Sequence, residues 1–261
     1  MRVYLLPDSF RENAPLVLEG KERNYIVNVL RLREGQHITG RDKNARPWDL
    51  VITKIEPVSC TLSATGTTHA QETTDLLPQQ GPSVPIILYQ CMPKGRKMDD
   101  IVRMATEAGV LGIIPVLSRN CVSGIGEKAN SRFARYNAVI KEAIQQSGSM
   151  IPTYAGPIID IASVPRHFEK ICLSLGTEGR GLFFHQRSIG ENQKTLPDIL
   201  FSFRGAVALV VGAEGGLTDD ETGLLLKGGF TPVLLKTNIL RCETAAIYAV
   251  SAVQTLIETG C

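Results

Sequence analysis

Two stretches near the end of the chain combine glycines with charged side chains: 207-VALVVGAEGGLTDDE-221 and 239-ILRCETAA-246. In the first, an apolar strand runs into a glycine cluster, whose backbone can approach a ligand closely. A phosphate there would be repelled by Glu214, Asp219 and Asp220, and neither G-x-G-x-x-G nor the P-loop Lys-Ser/Thr occurs. The loop therefore predicts a neutral or cationic ligand held mainly by backbone groups. The alternative is a glycine-rich turn with solvated acidic side chains.

The second stretch places an arginine beside apolar residues at the start of the last helix. Arg241 directly follows Ile239 and Leu240, so we expect its guanidinium to point into a partly enclosed site. A buried guanidinium needs an acidic partner or a bound anion. The alternative is that Arg241 pairs with Glu243 or Glu214 as a structural strut.

A third stretch, 93-PKGRKMDDIVRMATEAGV-110, places three basic side chains ahead of a predicted helix. Lys94, Arg96 and Lys97 either reach phosphates at the same sheet edge or are simply solvated. Two more basic clusters lie at 31–46 and between residues 119 and 135. The formal net charge is only +2, but three local clusters together favour a polyanionic partner.

The composition is that of an ordinary soluble globular protein. Of 261 residues, 43% are apolar and 21% are charged. No apolar run approaches the roughly 20 residues of a membrane span, and the N-terminus lacks a secretory core, so we expect a cytoplasmic protein. Six scattered cysteines without C-x-x-C pairs predict buried thiols and no metal site. The four histidines suggest no role.

The first quarter of the chain is predicted to be a small β-rich domain. Short runs with partial alternation, separated by turn residues, predict the strands Arg2–Leu6, Gln36–Arg41, Trp48–Ile55 and Cys60–Ala64, with one helix at Lys21–Leu30. The segment 66-GTTHAQETTDLLPQQGPS-83 has the composition of a linker. We therefore predict a first domain at residues 1–70, a linker at 71–84 and a second domain at 85–261.

The second domain alternates apolar strands with helices. The strands are predicted at 85-PIILYQC-91, 112-GIIPVL-117, 170-KICLSL-175, 206-AVALVV-211 and 231-TPVLLK-236, and the helices at Met98–Ala108, Ala129–Gln146, Asp219–Lys227 and Thr244–Glu258. Continuous apolar strands are typical of a sheet covered on both faces. The pattern predicts an α/β domain with a mostly parallel sheet.

The motifs PKGRKMD, ATEAGV, IIPV, EAIQQSG, GAEGG and ILRCETAA occur in that order along the chain. This set resembles the bacterial small-subunit (16S) ribosomal RNA uridine-N3 methyltransferases of the SPOUT superfamily. The segment 25-YIVNVLRLREGQ-36 also resembles that family's PUA-like RNA-binding domain, so the likeness covers nearly the whole chain. Five positions depart from the family's usual pattern: Ala213 replaces a proline, Lys236 a glycine, Tyr25 a frequent histidine, Ala108 a leucine and Ser149 a frequent arginine.

The resemblance implies S-adenosylmethionine as methyl donor, a trefoil knot in the SPOUT-type second domain, a homodimer, and ribosomal RNA or the small ribosomal subunit as partner. For methyl transfer to uracil N3 we expect Arg241 to stabilise the negative charge that develops on the ring, and Glu243 or Glu214 to orient the ring or accept a proton. The implied cofactor-binding residues are Leu175, Gly176, Val211, Gly212, Ala213, Glu214, Gly215, Gly216, Leu234, Leu235, Lys236, Asn238, Ile239, Leu240, Arg241, Thr244 and Ala245. Phosphate contacts are expected from Arg31, Arg33, Arg41, Lys43, Arg46, Lys94 and Lys97.

Three other functions stay open on the sequence alone. A SPOUT methyltransferase could modify the ribose 2′-hydroxyl or another base of ribosomal or transfer RNA. A nicotinamide-dependent dehydrogenase is disfavoured by the missing G-x-G-x-x-G motif. A non-catalytic RNA-binding protein would not need Glu214, Arg241, Glu243 and Thr244 together.

Overall fold

The structure is a computed structural model, and it describes residues 3–42, 46–65, 84–121, 129–185, 194–234 and 237–258. The chain divides into two compact units. Unit 1 comprises Met1–Gln79 with Ile144–Met150, and unit 2 comprises Gln80–Ala143 with Ile151–Cys261. The predicted linker at 71–84 lies outside the described residues except for the buried Val84, so the predicted domain boundaries stay a prediction.

Unit 1 is built on a five-stranded sheet in the order β1-β3-β4-β5-β2. Its strands are β1 (Val3–Leu5), β2 (Leu16–Glu19), β3 (His37–Arg41), β4 (Pro47–Ile55) and β5 (Ser59–Ala64). All neighbours pair antiparallel except β1 and β3, which are parallel. The four predicted strands are confirmed to within two residues, whereas β2 was not predicted, because a four-residue strand carries too short an alternation to recognise.

The helix predicted at Lys21–Leu30 is present, but its hydrogen bonding changes half-way. Helix α1 (Gly20–Asn24) continues into a π-helical turn at Tyr25–Val29, and the Leu30 N–H donates to the Tyr25 carbonyl at 2.9 Å. Within this turn Ile26 is completely buried in the core of unit 1.

Unit 2 contains a seven-stranded sheet in which every pairing is parallel. The strands are β6 (Ile86–Cys91), β7 (Gly112–Leu117), β8 (Tyr154–Ala155), β9 (Ile159–Asp160), β10 (Gly179–His185), β11 (Ala206–Val211) and β12 (Thr231–Leu234). The order is β12-β10-β11-β6-β7-β8, and β9 also pairs with β7. The predicted mostly parallel sheet is confirmed, and every residue of β6 and β11 is buried, as strands covered on both faces require.

Helices connect these strands, and a last helix follows β12. They are α2 (Lys97–Glu107), α3 (Ala129–Ser147), α4 (Val164–Leu175), α5 (Leu196–Leu200), α6 (Asp219–Lys227) and α7 (Cys242–Glu258). The four predicted helices are confirmed to within two residues at each end. Among the described residues, no helix is long and apolar enough to cross a membrane.

The strand predicted at 170-KICLSL-175 is wrong, because these residues form the end of α4. Only one stripe of the helix is buried, at Val164, Phe168 and Cys172, while Leu173 is 75% exposed. The strand of this region is β10, which begins at Gly179. The sequence pattern did not predict β10, because this strand contains glycines and glycine disfavours strands.

The glycines of β10 are required by close packing. A Cβ at Gly179 would lie 2.4 Å from the Cys172 sulfur, and one at Gly181 would lie 2.6 Å from the Phe230 ring. Such distances leave no room for a side chain. The Cys172 side chain of α4 and the Phe230 ring therefore pack directly against the backbone of β10.

The last helix, α7, buries its apolar face within its own unit. Ala246, Ala249, Val250 and Val253 are fully buried, and the helix packs on α2, β6 and β11. Burial in the core therefore explains this pattern, and these residues are not available to a homodimer interface. The homodimer itself stays a prediction.

Most of the scattered cysteines are buried, as predicted. Cys60, Cys91, Cys172 and Cys242 are buried thiols and Cys121 is half-buried, while Cys261 lies outside the described residues. Burial raises the pKa of the Cys91 thiol to about 12 and so keeps it protonated.

Candidate functional site

The glycine loop at residues 212–216 joins the carboxyl end of β11 to helix α6. A Cβ at Gly212 would lie 2.9 Å from the Gly216 Cα, so the loop folds back tightly on its own backbone. Gly216 has a φ of 67°, a conformation that other residues rarely adopt. The Gly216 N–H donates to the Ala213 carbonyl at 2.9 Å and closes the turn. The sequence thus folds this loop so that its backbone is presented to a ligand.

The helix that follows the glycine loop starts at a capping box. The Thr218 hydroxyl accepts from the Glu221 N–H at 3.4 Å, and the Glu221 carboxylate accepts from the Thr218 N–H at 2.8 Å. Glu221 is only 5% exposed and also accepts from the Arg119 N–H at 2.7 Å. The hydrogen bonds of this carboxylate therefore connect the segment after β7 to the start of α6.

Two amide side chains brace the glycine loop from neighbouring strands. Asn120 Nδ2 donates to the carbonyls of Gly215 and Gly216, at 2.9 and 3.1 Å. The fully buried Gln90 Nε2 lies 2.9 Å from the Cys91 carbonyl and 3.3 Å from that of Gly212. Neither residue is predicted from the sequence as part of the site. Their positions could have indicated a place in the site, because Asn120 follows β7 and Gln90 lies at the end of β6, and the carboxyl ends of parallel strands share one sheet edge.

A cavity of about 520 Å³ lies between the glycine loop and the segment that leads into α7. Its size is within the range of ordinary small-molecule sites. The cavity is lined by Lys97, Phe184, His185, Val211, Gly212, Ala213, Glu214, Gly215, Gly216, Leu217, Asp219, Thr237, Asn238, Ile239, Leu240, Arg241, Cys242 and Ala245. The two sequence stretches that were predicted to form one site therefore do meet.

A lysine pairs with two carboxylates, of which Glu214 lines this cavity and Glu243 lies next to the lining residue Cys242. Lys97 Nζ lies 2.8 Å from a carboxylate oxygen of Glu214 and 3.9 Å from one of Glu243. The Lys94 N–H also donates to the Glu214 carboxylate, at 3.2 Å. The Cys242 thiol donates to Glu243 at 3.1 Å. We call Lys97, Glu214 and Glu243 the charged cluster.

The charged cluster stabilises the ionised form of each of its members. The hydrogen bond to Glu214 raises the pKa of Lys97 above its ordinary value. Burial alone would raise the pKa of Glu214, but hydrogen bonds from Lys97 and from backbone N–H groups outweigh it and lower that pKa. The pKa of Glu243 is also lowered, chiefly by its own backbone N–H. Two carboxylates and one ammonium are therefore charged at neutral pH.

Arg241 lines the cavity, but its side chain is exposed. The expectation of an enclosed guanidinium is therefore wrong, since the neighbouring Ile239 is itself 83% exposed and provides no cover. The alternative strut is not seen as an ion pair either: within the described part of the chain, the ion-pair partner of both Glu214 and Glu243 is Lys97. The charge of Arg241 contributes only as a minor cause to the lowered pKa of Glu243. Arg241 is positioned to meet a ligand from the solvent side.

Most of the predicted cofactor residues line the cavity, and four described ones do not. Leu234 is the last residue of β12 and Thr244 lies in the first turn of α7, and neither residue lines the cavity. Leu175 and Gly176 are a correction: they end helix α4 and precede β10, whereas the cavity lies at the far end of β10, at Phe184 and His185. Leu235 and Lys236 lie outside the described residues.

The predicted phosphate-binding residues fall into three groups: exposed residues, one residue outside the described part of the chain, and two residues that contact other groups of the protein. Arg31, Arg33, Arg46 and Lys94 are exposed, and the Arg46 guanidinium lies over the Trp48 ring at 4.6 Å. Lys43 lies outside the described residues.

Two of these predictions are corrected. Arg41 is only 5% exposed, and its guanidinium donates a hydrogen bond to the Ser149 carbonyl within unit 1. Lys97 is held by the carboxylates of the charged cluster. Arg41 is therefore not free to meet RNA phosphates, and the charge of Lys97 is already balanced by carboxylates although 36% of its side chain is exposed.

Comparison with protein families supports this arrangement along most of the chain. A family model described as an RNA methyltransferase domain matches residues 80–254. A second model, described as an RNA methyltransferase PUA domain, matches residues 18–64. The second match confirms the predicted PUA-like character of the first domain.

Individual relatives match over nearly the full length. The chain is 28% identical to ribosomal RNA small subunit methyltransferase E of Bacillus subtilis, covering 93% of this chain and 91% of that protein. It is 26% identical to the protein of that name in Synechocystis, covering 99% and 78%. The crystal structure of such a protein from Neisseria gonorrhoeae, bound to S-adenosyl methionine, superposes with a TM-score of 0.80 at 27% identity, covering 98% of both chains.

Proposed function

Because this chain belongs to the family of proteins with an RNA methyltransferase domain, we propose that it transfers a methyl group from S-adenosylmethionine to N3 of a uridine in small-subunit ribosomal RNA. The observation that carries the proposal is the cavity at the carboxyl edge of the parallel sheet. The glycine loop and the arginine-bearing segment both line it. The names of the full-length relatives support the ribosomal substrate.

The residues of the cavity suit this methyl donor. S-adenosylmethionine supplies a methyl group bound to a positively charged sulfonium sulfur. The glycine loop offers backbone groups at close approach, and Glu214 and Glu243 are ionised nearby, which favours a cation and disfavours a nucleotide phosphate. The volume of about 520 Å³ is suitable for a ligand of this size.

Methylation of N3 requires loss of the imide proton and stabilisation of the negative charge that develops on the ring. Arg241 is the exposed cation at the cavity and is assigned to stabilise that charge. Glu214 and Glu243 orient the ring or accept the proton. Their lowered pKa values make them weak bases, which favours the orienting role.

The uridine must be unpaired or turned out of its stack, because N3 takes part in base pairing. Affinity for the RNA is assigned to phosphate contacts from the exposed Arg31, Arg33, Arg46 and Lys94. Such contacts release counterions, so log K falls linearly with log salt concentration. Arg46→Ala is expected to reduce that slope by about 1. A salt-independent affinity would contradict this assignment.

The test is incubation of the purified protein and isotopically labelled S-adenosylmethionine with small ribosomal subunits that lack the modification, followed by nucleoside mass spectrometry. The proposal predicts labelled 3-methyluridine. A 2′-O-methylated nucleoside or another methylated base would refute the N3 assignment, and no labelled nucleoside would indicate a non-catalytic RNA-binding protein.

The role of Arg241 is tested in the same assay at saturating donor. Arg241→Ala is expected to lower turnover by about 10²- to 10³-fold, the usual effect of removing one charge-stabilising donor. Arg204→Ala is the matched control, since Arg204 is also exposed but precedes the amino end of β11, away from the cavity. Wild-type turnover in Arg241→Ala would show that this role is wrong.

A further inference from the structure

The charged cluster joins three separate segments through one ammonium group. Lys97 begins helix α2, Glu214 lies in the glycine loop, and Glu243 lies in the first turn of α7. Lys97 and Glu214 are 117 positions apart in the chain, yet Nζ and Oε1 are 2.8 Å apart. The cluster is therefore a product of the fold of unit 2 and not of local sequence.

The carboxylates of the cluster are fixed by further donors. Glu214 accepts from the Lys94 N–H at both carboxylate oxygens, at 3.2 and 3.3 Å. Glu243 accepts from the Cys242 thiol. Side-chain exposure of 30% for Glu214 and 21% for Glu243 shows that both are partly shielded from water. A partly shielded charge acts on a neighbouring ligand more strongly than an exposed one.

One ammonium and two carboxylates give the cluster a net charge of −1. Lys97 and Glu214 line the cavity, and Glu243 lies beside it; the other charged residues in the lining are Arg241 and Asp219, which are both exposed and opposite in sign. The methyl donor carries one positive charge on its sulfur, whereas the product S-adenosylhomocysteine has a neutral thioether there. The two compounds thus differ in the charge on their sulfur, and a charged cluster interacts differently with a positive and a neutral sulfur.

We propose, on the premise of the function proposed above, that Lys97 and Glu214 are specificity-determining residues: their cluster, with its net charge of −1, strengthens binding of the sulfonium donor relative to the neutral product. Lys97 neutralises one of the two carboxylates. It thereby sets how strongly the site distinguishes donor from product, and hence how readily the product leaves after transfer.

Charge substitutions with opposite signs test this directly. The measured quantity is the ratio of the affinities for S-adenosylmethionine and S-adenosylhomocysteine, both from calorimetric titration of the full chain without RNA. Glu214→Gln removes one negative charge, and we expect the ratio to fall by about tenfold. Lys97→Met removes the positive charge, and we expect the ratio to rise by a similar factor.

Combined and conservative variants sharpen the test. The double variant Lys97→Met with Glu214→Gln restores the net charge of −1, and Lys97→Arg never changes it, so both are expected to keep the wild-type ratio within about twofold. The matched control is Arg103→Met, which removes a positive charge from the same helix. Arg103 pairs with Glu107 and does not line the cavity, so its ratio is expected to stay unchanged.

A purely structural role would change both affinities together and leave the ratio constant. The inference is therefore overturned if the ratio is unchanged in both single variants, or if it moves in the same direction in both. If Glu214→Gln does not fold, Glu243→Gln removes the same charge from the cluster and carries the same expectation. Wild-type protein that binds neither compound would refute the proposed function itself, which is a distinct result.

Discussion

Replacing Gly212 by alanine puts a methyl group into the glycine loop where only backbone surrounds it. The added Cβ would lie 2.9 Å from the Gly216 Cα, 3.0 Å from its carbonyl carbon and 3.3 Å from the Leu217 nitrogen. Carbon atoms in contact prefer about 3.5–4.0 Å, so the loop must open by several tenths of an ångström. No flexible side chain is present to relieve the contact.

The expected cost is that of overpacking, about 1–3 kcal/mol. If the loop opens, donor affinity falls by about five- to a hundredfold, because each 1.4 kcal/mol is tenfold. If the loop keeps its shape, the strain lowers stability instead, by about 2–4 °C in Tm for each kcal/mol. Calorimetric titration with S-adenosylmethionine and thermal unfolding together capture both cases.

Gly223→Ala is the matched control for this substitution. Gly223 lies in α6, a few residues after the loop, and a Cβ there would meet nothing within 4 Å. Alanine in a helix is more stable than glycine by roughly 0.5–1 kcal/mol, so this variant is expected to gain stability and keep its donor affinity. Wild-type affinity and wild-type Tm in Gly212→Ala would refute the argument about the loop.

Three further substitutions probe other parts of unit 2. Gly181→Ala puts a Cβ 2.6 Å from a buried phenylalanine ring, so thermal unfolding should show a loss of about 1–3 kcal/mol, and an unchanged Tm would contradict the packing of β10. Thr218→Ala removes the side-chain cap of α6 and should cost about 1 kcal/mol in urea unfolding, whereas an unchanged midpoint would mean the cap contributes nothing. Folding lowers the pKa of Glu214 below its ordinary value of 4.5. The ionised Glu214 therefore stabilises the folded protein above about pH 4.5, and this contribution is lost as the pH falls through the pKa of Glu214 in the folded state. Glu214→Gln should therefore flatten the acid side of the stability curve, and an identical acid limb would show that Glu214 is not stabilised by folding.

The parts of the fold that the sequence predicts well are those where burial alone decides. Residues 206–211 and 112–117 are continuous apolar runs, and both form strands over those residues. The helix at Asp219–Lys227 is marked by its capping box and begins and ends as predicted. In these segments local pattern and tertiary burial agree.

The failures occur where local pattern and packing disagree. The run 170-KICLSL-175 is apolar enough for a strand, but it belongs to a helix that starts earlier, near a proline at its first turn. Strand β10 contains Gly179 and Gly181, whose lack of side chains is explained only by the ring and the sulfur that pack on them. A single sequence does not reveal those distant neighbours.

The same division holds for the candidate site. Backbone chemistry of the glycine loop and its place after a buried strand are readable from the sequence. The partners of individual side chains are not: Lys97 was predicted to bind phosphate but pairs with Glu214, and Asn120 reaches the loop from 95 positions away. Pairings over such separations depend on the topology of the whole sheet.

The most direct test of the account is a crystal structure of the protein grown or soaked with S-adenosylmethionine. We predict that the compound lies between the glycine loop at 212–216 and the segment at 238–241, held mainly by main-chain groups, with its sulfur on the side of the charged cluster. Density for the compound elsewhere, or these two segments lying apart with no shared cavity, would contradict it.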